Sequence, residues 1–254
     1  MRRRYVALGS SMAAGPGIRP KAPHAPFGSG RSEVNYAHLV AQRLSYDLVD
    51  VTFSGATTAH VLTDRQRKVL PQIEAIDGSE GLVTITIGGN DAGYIPLLYA
   101  AGLPRLLRSL PIVGPGLREQ LDPAARDIAL AQVAESLIGV GREVRARAPQ
   151  ARVLFVDYLA LLPPAGTPAP PLSAPDIAVA RHVGDTLKQL TEDAAAATGC
   201  ELVRASDASV DHHPWSNEPW VSGLGLPLPG RVVPLHPNAA GMRAVADLVV
   251  AALS

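Results

Sequence analysis

The segment that decides the fold is Tyr5-Val-Ala-Leu-Gly-Ser-Ser-Met-Ala-Ala-Gly15, a short apolar run that ends in a glycine and continues into small residues. Apolar runs of this kind, bounded by glycine, are typical of buried β-strands. Gly9 and Gly15 flank Ser10 and Ser11, and glycine lets the backbone turn sharply and approach a ligand closely. The pattern therefore predicts a first strand with two serine hydroxyls just beyond its carboxyl end.

Further strands and helices alternate after this segment. We predict helices over 32–45, from Asp122-Pro123 to about Ala148, from Ser173 to Gly199 and from Asn238 to about Leu253, on the basis of apolar spacing and capping residues. The predicted strands are Val6–Leu8, Leu48–Phe53, Leu82–Ile87, Val153–Val156 and Leu202–Val203. Alternating strands and helices favour a mostly parallel five-stranded sheet with helices on both faces, which is an α/β fold.

Length and charge limit the classes of protein to which the chain can belong. Its 254 residues show no break in composition, so we predict a single domain over 1–254. Lys plus Arg and Asp plus Glu are both 23, which leaves no basic field for nucleic acid. No apolar run reaches the roughly 18 residues that a membrane helix needs. We expect no nucleic-acid partner and no integral membrane segment, and a monomer is the default expectation.

The beginning of the chain bears on localisation. The basic run Arg2-Arg-Arg4 is followed by only five residues before Ser10, too few for the apolar part of a signal peptide. The chain as it stands predicts a cytoplasmic protein, and a trimmed leader would make it a secreted one. Cys200 is the only cysteine, so an intramolecular disulfide is excluded.

Four groups with complementary chemistry follow the predicted strands. Ser10 and Ser11 follow the first strand, Gly55 the second and Asn90 the third, and His236 lies on the loop that enters the last helix. In an open parallel sheet, ligands bind beyond the carboxyl ends of the strands, so these residues should converge.

These four groups supply the parts of an acyl-transfer site. A serine hydroxyl needs an adjacent base to attack at neutral pH, and His236 can be that base for Ser11. The Gly55 N–H and the Asn90 amide are donors of the kinds that stabilise a developing oxyanion. A hydrolase is therefore the leading interpretation.

The same residues resemble the SGNH (GDSL-type) hydrolases, a family of esterases and lipases. Gly9-Ser10-Ser11 stands where that family has Gly-Asp-Ser, Gly88-Gly89-Asn90-Asp91 matches its third block, and the last block matches at His236. Two further segments, Trp220-Val-Ser-Gly and His236-Pro-Asn-Ala-Ala-Gly241, resemble the actinobacterial esterase and lipase branch. The resemblance implies a flavodoxin-like three-layer α/β/α sandwich, with Ser11 as nucleophile, Gly55 and Asn90 as oxyanion donors and no cofactor.

Two residues of the family pattern are replaced, and the first is the aspartate of the Gly-Asp-Ser block, where Ser10 stands. Val233 occupies the position of the acid that would orient His236. A Ser–His dyad in which the Val233 carbonyl orients the histidine is favoured, and Asp207 or Asp211 is the alternative third member. The resemblance implies a small-molecule or lipid acyl ester as substrate. A carbohydrate or polymer O-deacetylase and a catalytically silent ligand-binding domain are the competing functions.

The substrate-binding wall is predicted on two segments. The apolar segment 94–121 follows Asn90-Asp91, and we expect either an amphipathic helix that covers the edge of the sheet or an apolar wall for an acyl chain. Tyr94 and Leu97 are the candidate residues of that wall. Trp215 and Trp220 are candidates for the opposite side. His212 and His213 next to Asp211 lack the further ligand spacing of a metal site, so we expect no metal.

Overall fold

The computed structural model describes residues 3–254, so Arg2 of the basic run lies outside the described residues. Within this part of the chain no helix is both long and apolar enough to span a bilayer. The five strands are β1 Arg4–Gly9, β2 Asp47–Asp50, β3 Glu80–Thr86, β4 Arg152–Val156 and β5 Glu201–Val203. The α-helices are α1 Ser11–Ala14, α2 Tyr36–Leu44, α3 Thr58–Leu62, α4 Tyr94–Gly102, α5 Gly114–Gln120, α6 Pro123–Arg147, α7 Ala174–Thr198, α8 Ala205–Ala208 and α9 Ala239–Leu253, with short 3-10 turns at Gln72–Ala75, Arg105–Ser109 and Val210–His212.

All strand pairs in the sheet are parallel, and the strand order is β2-β1-β3-β4-β5. Helix α2 packs against α9, whereas α6 packs against α3 and α7, so the helices form two layers on opposite faces of the sheet. This confirms the predicted three-layer α/β/α sandwich. The chain order reverses between β1 and β3, and the carboxyl edge at such a switch point is where open α/β sheets bind ligands.

The predicted helices that carry capping residues begin where those residues stand. The side chain of Asp122 accepts from the Ala124 N–H, and that of Asn238 accepts from two backbone N–H groups at the start of α9. One hydrophobic core extends through the sheet and both helix layers, which supports the single domain that stays a prediction for residues 1–254.

The segment 94–121 departs from the expected single amphipathic helix. It is divided into α4, a 3-10 turn at Arg105–Ser109 and α5. Pro104 precedes the 3-10 turn and Pro111 follows it, and proline has no N–H for the helical ladder and clashes with the preceding turn. The expectation of one continuous helix is therefore wrong, although α4 does begin soon after Asn90.

A buried glutamine holds the end of β1. Gly9 has a φ of 153°, and a Cβ at this position would lie 2.6 Å from the Thr86 carbonyl oxygen, so only glycine fits beside β3. The Gln72 side chain accepts from the Gly9 N–H at 2.7 Å and donates to the Gly9 carbonyl at 3.0 Å. This pair of hydrogen bonds ties the last residue of β1 to the 3-10 turn at Gln72–Ala75.

We predict that Gln72→Met lowers the free energy of unfolding by about 2–4 kcal/mol. The substitution removes two buried hydrogen bonds and leaves the Gly9 N–H without an acceptor, and an unsatisfied buried donor costs about 1–3 kcal/mol by itself. Urea denaturation followed by circular dichroism measures the change. Gln132→Met on the exposed face of α6 is the matched control and should change stability by less than about 0.5 kcal/mol. Equal effects of the two substitutions would contradict a clamping role for Gln72.

Candidate active site

Ser11 and His236 are in direct contact at the carboxyl edge of the sheet. The Ser11 Oγ lies 2.8 Å from the His236 Nε2, although 225 positions separate the two residues in sequence. Both side chains are buried, with His236 only 5% exposed. A hydroxyl at hydrogen-bond distance from an imidazole is the arrangement in which the imidazole can accept the hydroxyl proton.

The other nitrogen of His236 is held by the protein backbone. Its Nδ1 lies 2.8 Å from the Pro234 carbonyl oxygen, which can only accept a hydrogen bond. The proton of the neutral ring therefore sits on Nδ1, and Nε2 presents its lone pair to Ser11. Burial lowers the pKa of His236 below its ordinary value, and the smaller effect of the Pro234 hydrogen bond in the opposite direction does not cancel it. The ring is thus neutral at physiological pH.

The carbonyl that accepts a hydrogen bond from the His236 ring belongs to Pro234, whereas the sequence analysis favoured that of Val233. The Val233 carbonyl already accepts from the Ser222 hydroxyl at 2.7 Å and from the His236 N–H at 3.2 Å, so it is not directed at the ring. Leu235 has a φ of 61°, and this left-handed turn brings the Pro234 carbonyl to Nδ1 instead. The prediction of Val233 as the orienting group is therefore wrong, whereas the prediction of a backbone carbonyl in place of an acid agrees with this geometry.

Neither candidate carboxylate reaches the histidine. Asp207 is ion-paired with Lys188, and Asp211 lies in a separate surface depression together with His212. Among residues 3–254, no carboxylate forms an ion pair with His236. The third-member roles considered for Asp207 and Asp211 are therefore not supported.

Gly55 and Asn90 lie beside this pair. Gly55 has a φ of 78°, and its N–H has no backbone acceptor within the described part of the chain. The Asn90 Nδ2 donates one hydrogen to the Ala56 carbonyl at 2.7 Å, which fixes the amide next to Gly55 and leaves its second N–H available. Asp91 accepts from the Thr58 N–H and hydroxyl, and this joins the loop after β3 to α3.

A tyrosine that the sequence analysis did not single out connects the loops after β1 and β3. The Tyr158 hydroxyl accepts from the Gly89 N–H at 3.0 Å and lies 3.1 Å from the Ser10 Oγ. A Cβ on Gly89 would lie 2.2 Å from the Tyr158 ring, so glycine is required there. Burial raises the pKa of Tyr158 to about 12, which keeps the hydroxyl protonated. Its position two residues after the end of the fourth strand was the signal that could have identified it.

The Ser11–His236 pair opens onto a cavity of about 890 Å³. Besides Ser11, residues from five segments line it: the loop 16–31, the turn with Ser54 and Gly55, the loop with Asn90, the start of α4 and the loop 228–236. On α4 the lining residues are Ile95, Pro96 and Tyr99. The substrate assignment of Tyr94 and Leu97 is corrected accordingly, because both side chains are buried on the opposite side of this helix.

The two tryptophans are also placed elsewhere. Trp215 donates from its indole N–H to the Pro170 carbonyl, and Trp220 stacks on His212 with ring centroids 4.0 Å apart. Neither lines the cavity, so both pack the long loop rather than a substrate wall. Within residues 3–254, no group of three His, Cys, Asp or Glu side chains is arranged to hold a metal, and independence from metals and cofactors stays a prediction.

The chain is similar to known lipases in both sequence and fold. A model of the GDSL-like lipase/acylhydrolase family matches residues 7–244. Lipase 2 of Streptomyces coelicolor is 34% identical over 249 residues, covering 96% of this chain and 83% of the relative. An extracellular lipase from Streptomyces rimosus has a TM-score of 0.80 at 25% identity over 98% of this chain and 99% of its own. A phospholipase A1 from Streptomyces albidoflavus NA297 has a TM-score of 0.77 at 23% identity over 99% of both chains.

The matched residues 7–244 include Ser11, Gly55, Asn90 and His236. The fold of the chain and its near full-length similarity to a lipase support membership of the same family. The chain belongs to the GDSL-like lipase/acylhydrolase family and is a carboxylic ester hydrolase of the SGNH type.

Proposed function

We propose that the protein cleaves acyl esters through a Ser11–His236 dyad, with Ser11 as the nucleophile and His236 as the general base. The single observation that carries this proposal is the continuous chain of hydrogen bonds from Ser11 Oγ to His236 Nε2 and from His236 Nδ1 to the Pro234 carbonyl. This chain sets both the position and the tautomer of the base before substrate arrives.

The proposed reaction has two halves. His236 accepts the Ser11 proton as Oγ attacks the ester carbonyl carbon, and the protonated imidazole then returns that proton to the departing alcohol. This leaves an acyl group on Ser11. Water enters, gives its proton to His236 and attacks the acyl carbon, and the proton returns to Ser11 as the carboxylic acid leaves.

The negative charge of each tetrahedral intermediate needs donors that are already in place. We propose that the N–H groups of Ser11 and Gly55 and the Nδ2 of Asn90 form this oxyanion hole. The free Gly55 N–H and the anchoring of Asn90 to the Ala56 carbonyl support this assignment. Donors that are fixed in advance need not reorganise as charge develops, which is why such groups act mainly on the transition state.

A backbone carbonyl differs from a carboxylate as a partner for the base. The Pro234 carbonyl fixes the tautomer, but as a dipole it stabilises the imidazolium less than a full charge does. Burial further favours the neutral ring. The proposed dyad therefore has a weaker base than a triad, and this base stays unprotonated to lower pH.

The walls of the cavity favour an acyl chain as its occupant. Ile95, Pro96 and Tyr99 form an apolar side next to Asn90, and the volume of about 890 Å³ accommodates a lipid-sized acyl group. Lipase 2 of Streptomyces coelicolor, a near full-length relative, supports the same substrate class. An extracellular lipase with the same fold supports a secreted rather than a cytoplasmic location, which fractionation of the source cells would test.

We expect Ser11→Ala to reduce the hydrolysis of p-nitrophenyl esters to background, a loss of up to about a millionfold in kcat, because the nucleophile is removed. Ser10→Ala is the matched control and should retain most activity. Fluorophosphonate labelling with peptide mapping should identify Ser11. Label on Ser10, or no label on an active preparation, would refute the assignment.

The same ester series, from acetate to laurate, separates the candidate functions. Turnover that persists with the long acyl chains is the expected result for the lipase proposal. Activity confined to acetate would favour an O-deacetylase, and no turnover of any ester would favour a silent binding domain.

We predict that Asn90→Ala lowers kcat about 10²- to 10³-fold with little change in KM, because an oxyanion donor acts in the transition state. Steady-state kinetics on one p-nitrophenyl ester measures both constants. Asn217→Ala, at an exposed position outside the cavity, is the matched control and should leave both unchanged. A rise in KM with unchanged kcat would make Asn90 a substrate contact instead.

A further inference from the structure

The mouth of the cavity combines exposed cations with exposed apolar side chains. We define the basic rim as Arg19, Lys21, Arg67 and Arg231 together with Phe27 and Leu228, all of which are exposed. Phe27 is 89% exposed and Leu228 is 51% exposed, so both present apolar surface to solvent beside these cations. The Arg67 guanidinium lies 5.6 Å from the centre of the Phe27 ring.

Three of the four rim cations, Arg19, Lys21 and Arg231, lie on two loops that contact each other, whereas Arg67 lies on a third segment beside Phe27. The Val233 N–H donates to the Pro16 carbonyl at 3.2 Å, which joins the loop 228–233 to the loop that begins at Pro16. The Arg19 guanidinium lies against Gly230, the residue before Arg231. Two positive side chains are thus held on adjoining backbone at the entrance to the cavity.

The rim cations have no direct carboxylate partner in the described part of the chain. None of the residues that line the cavity is Asp or Glu, although the whole chain carries 23 acidic and 23 basic residues. Among residues 3–254, Arg19, Lys21, Arg67 and Arg231 form no ion pair. Arg31, deeper in the cavity, is different because Asp50 lies 3.9 Å from it. The four rim cations are therefore free of direct ion pairs with the described residues and available to an anionic partner.

We propose that the basic rim docks the protein onto an anionic lipid surface and so presents lipid esters to the cavity. Exposed Lys and Arg side chains are attracted to anionic headgroups, while exposed Phe and Leu side chains enter the boundary between headgroups and acyl chains. A second copy of this chain is a poorer occupant, because a two-fold contact through the same patch would oppose like charges. The inference builds on the proposed acyl-ester hydrolase, but binding can be measured without hydrolysis.

The test uses the Ser11→Ala protein so that the vesicles stay intact. Sedimentation should show tighter binding to phosphatidylcholine vesicles that contain phosphatidylglycerol than to pure phosphatidylcholine vesicles. The difference should shrink as salt rises, because exposed charges are screened over about 8–10 Å at physiological ionic strength.

Two double variants of the Ser11→Ala protein distinguish vesicle binding through the basic rim from attraction by surface charge in general. Arg19→Gln/Arg231→Gln should weaken binding to the anionic vesicles about 30-fold, since each cation near such a surface contributes about fivefold. Arg142→Gln/Arg243→Gln removes the same charge from exposed positions on α6 and α9 and should leave binding unchanged.

Three results would overturn the docking proposal. The first is equal binding to both kinds of vesicle, and the second is an equal loss of binding in the control variant. The third is unchanged vesicle binding by Arg19→Gln/Arg231→Gln, combined with a higher KM for a soluble anionic ester when the same two substitutions are made in the active protein. The last result would mean that the cations bind the anion of the substrate itself. If the active protein cleaved no ester, the proposed hydrolase would be refuted. The docking proposal would still be decided by the vesicle measurement, because binding does not require hydrolysis.

Discussion

The hydrogen bond between His236 Nδ1 and the Pro234 carbonyl is the interaction on which the proposed chemistry depends. It determines which nitrogen carries the proton, and therefore whether Nε2 can accept the proton of Ser11. In a serine protease a buried aspartate has this role, and making it an asparagine costs about 10⁴ in kcat because the histidine takes the wrong tautomer. A carbonyl cannot produce that error, because it accepts hydrogen bonds and never donates them. The left-handed turn at Leu235 is the local condition for this contact.

The surrounding scaffold fixes the distances that the dyad and the oxyanion donors require. Gln72 fixes the end of β1 by hydrogen bonds to both backbone groups of Gly9. Tyr158 connects the loop of Ser10 to the loop of Gly89, and so relates the nucleophile to Asn90. Ser10 stands where the family motif has an aspartate, and its hydroxyl contacts the Tyr158 hydroxyl. This contact between uncharged groups stabilises the turn without placing a carboxylate beside the nucleophile.

Much of this arrangement could be predicted from the sequence, because its signals are local. Glycine turns after apolar runs located the ends of β1 and β3 to within a residue, whereas β2 ends at Asp50 rather than at Phe53. The Asp122 and Asn238 caps located helix starts to within a residue. Parallel topology then requires the residues after β1, β2 and β3 to share one edge, which predicts that Ser11, Gly55 and Asn90 lie close together.

Features that depend on side-chain direction or on packing between distant segments could not be read from the sequence. Successive side chains of a helix point about 100° apart. Tyr94 and Leu97 are therefore buried on one face of α4, whereas Ile95 and Tyr99 line the cavity on the other. The choice of Pro234 over Val233 depends on one backbone angle at Leu235. The contacts of Tyr158 and Gln72 join residues more than 60 positions apart and leave no local pattern.

The central claim is that a backbone carbonyl, not a carboxylate, orients a neutral His236. Nitrogen-15 NMR titration of the imidazole in the resting protein tests it most directly, because the shifts report both the tautomer and the pKa. The account predicts a proton on Nδ1 in the neutral ring and a pKa below the ordinary value of about 6.5, since burial disfavours the charged form. The imidazole would then stay a free base as pH falls to 6.5. A pKa above 6.5, which a carboxylate partner would produce, or a neutral ring protonated on Nε2, would contradict the account.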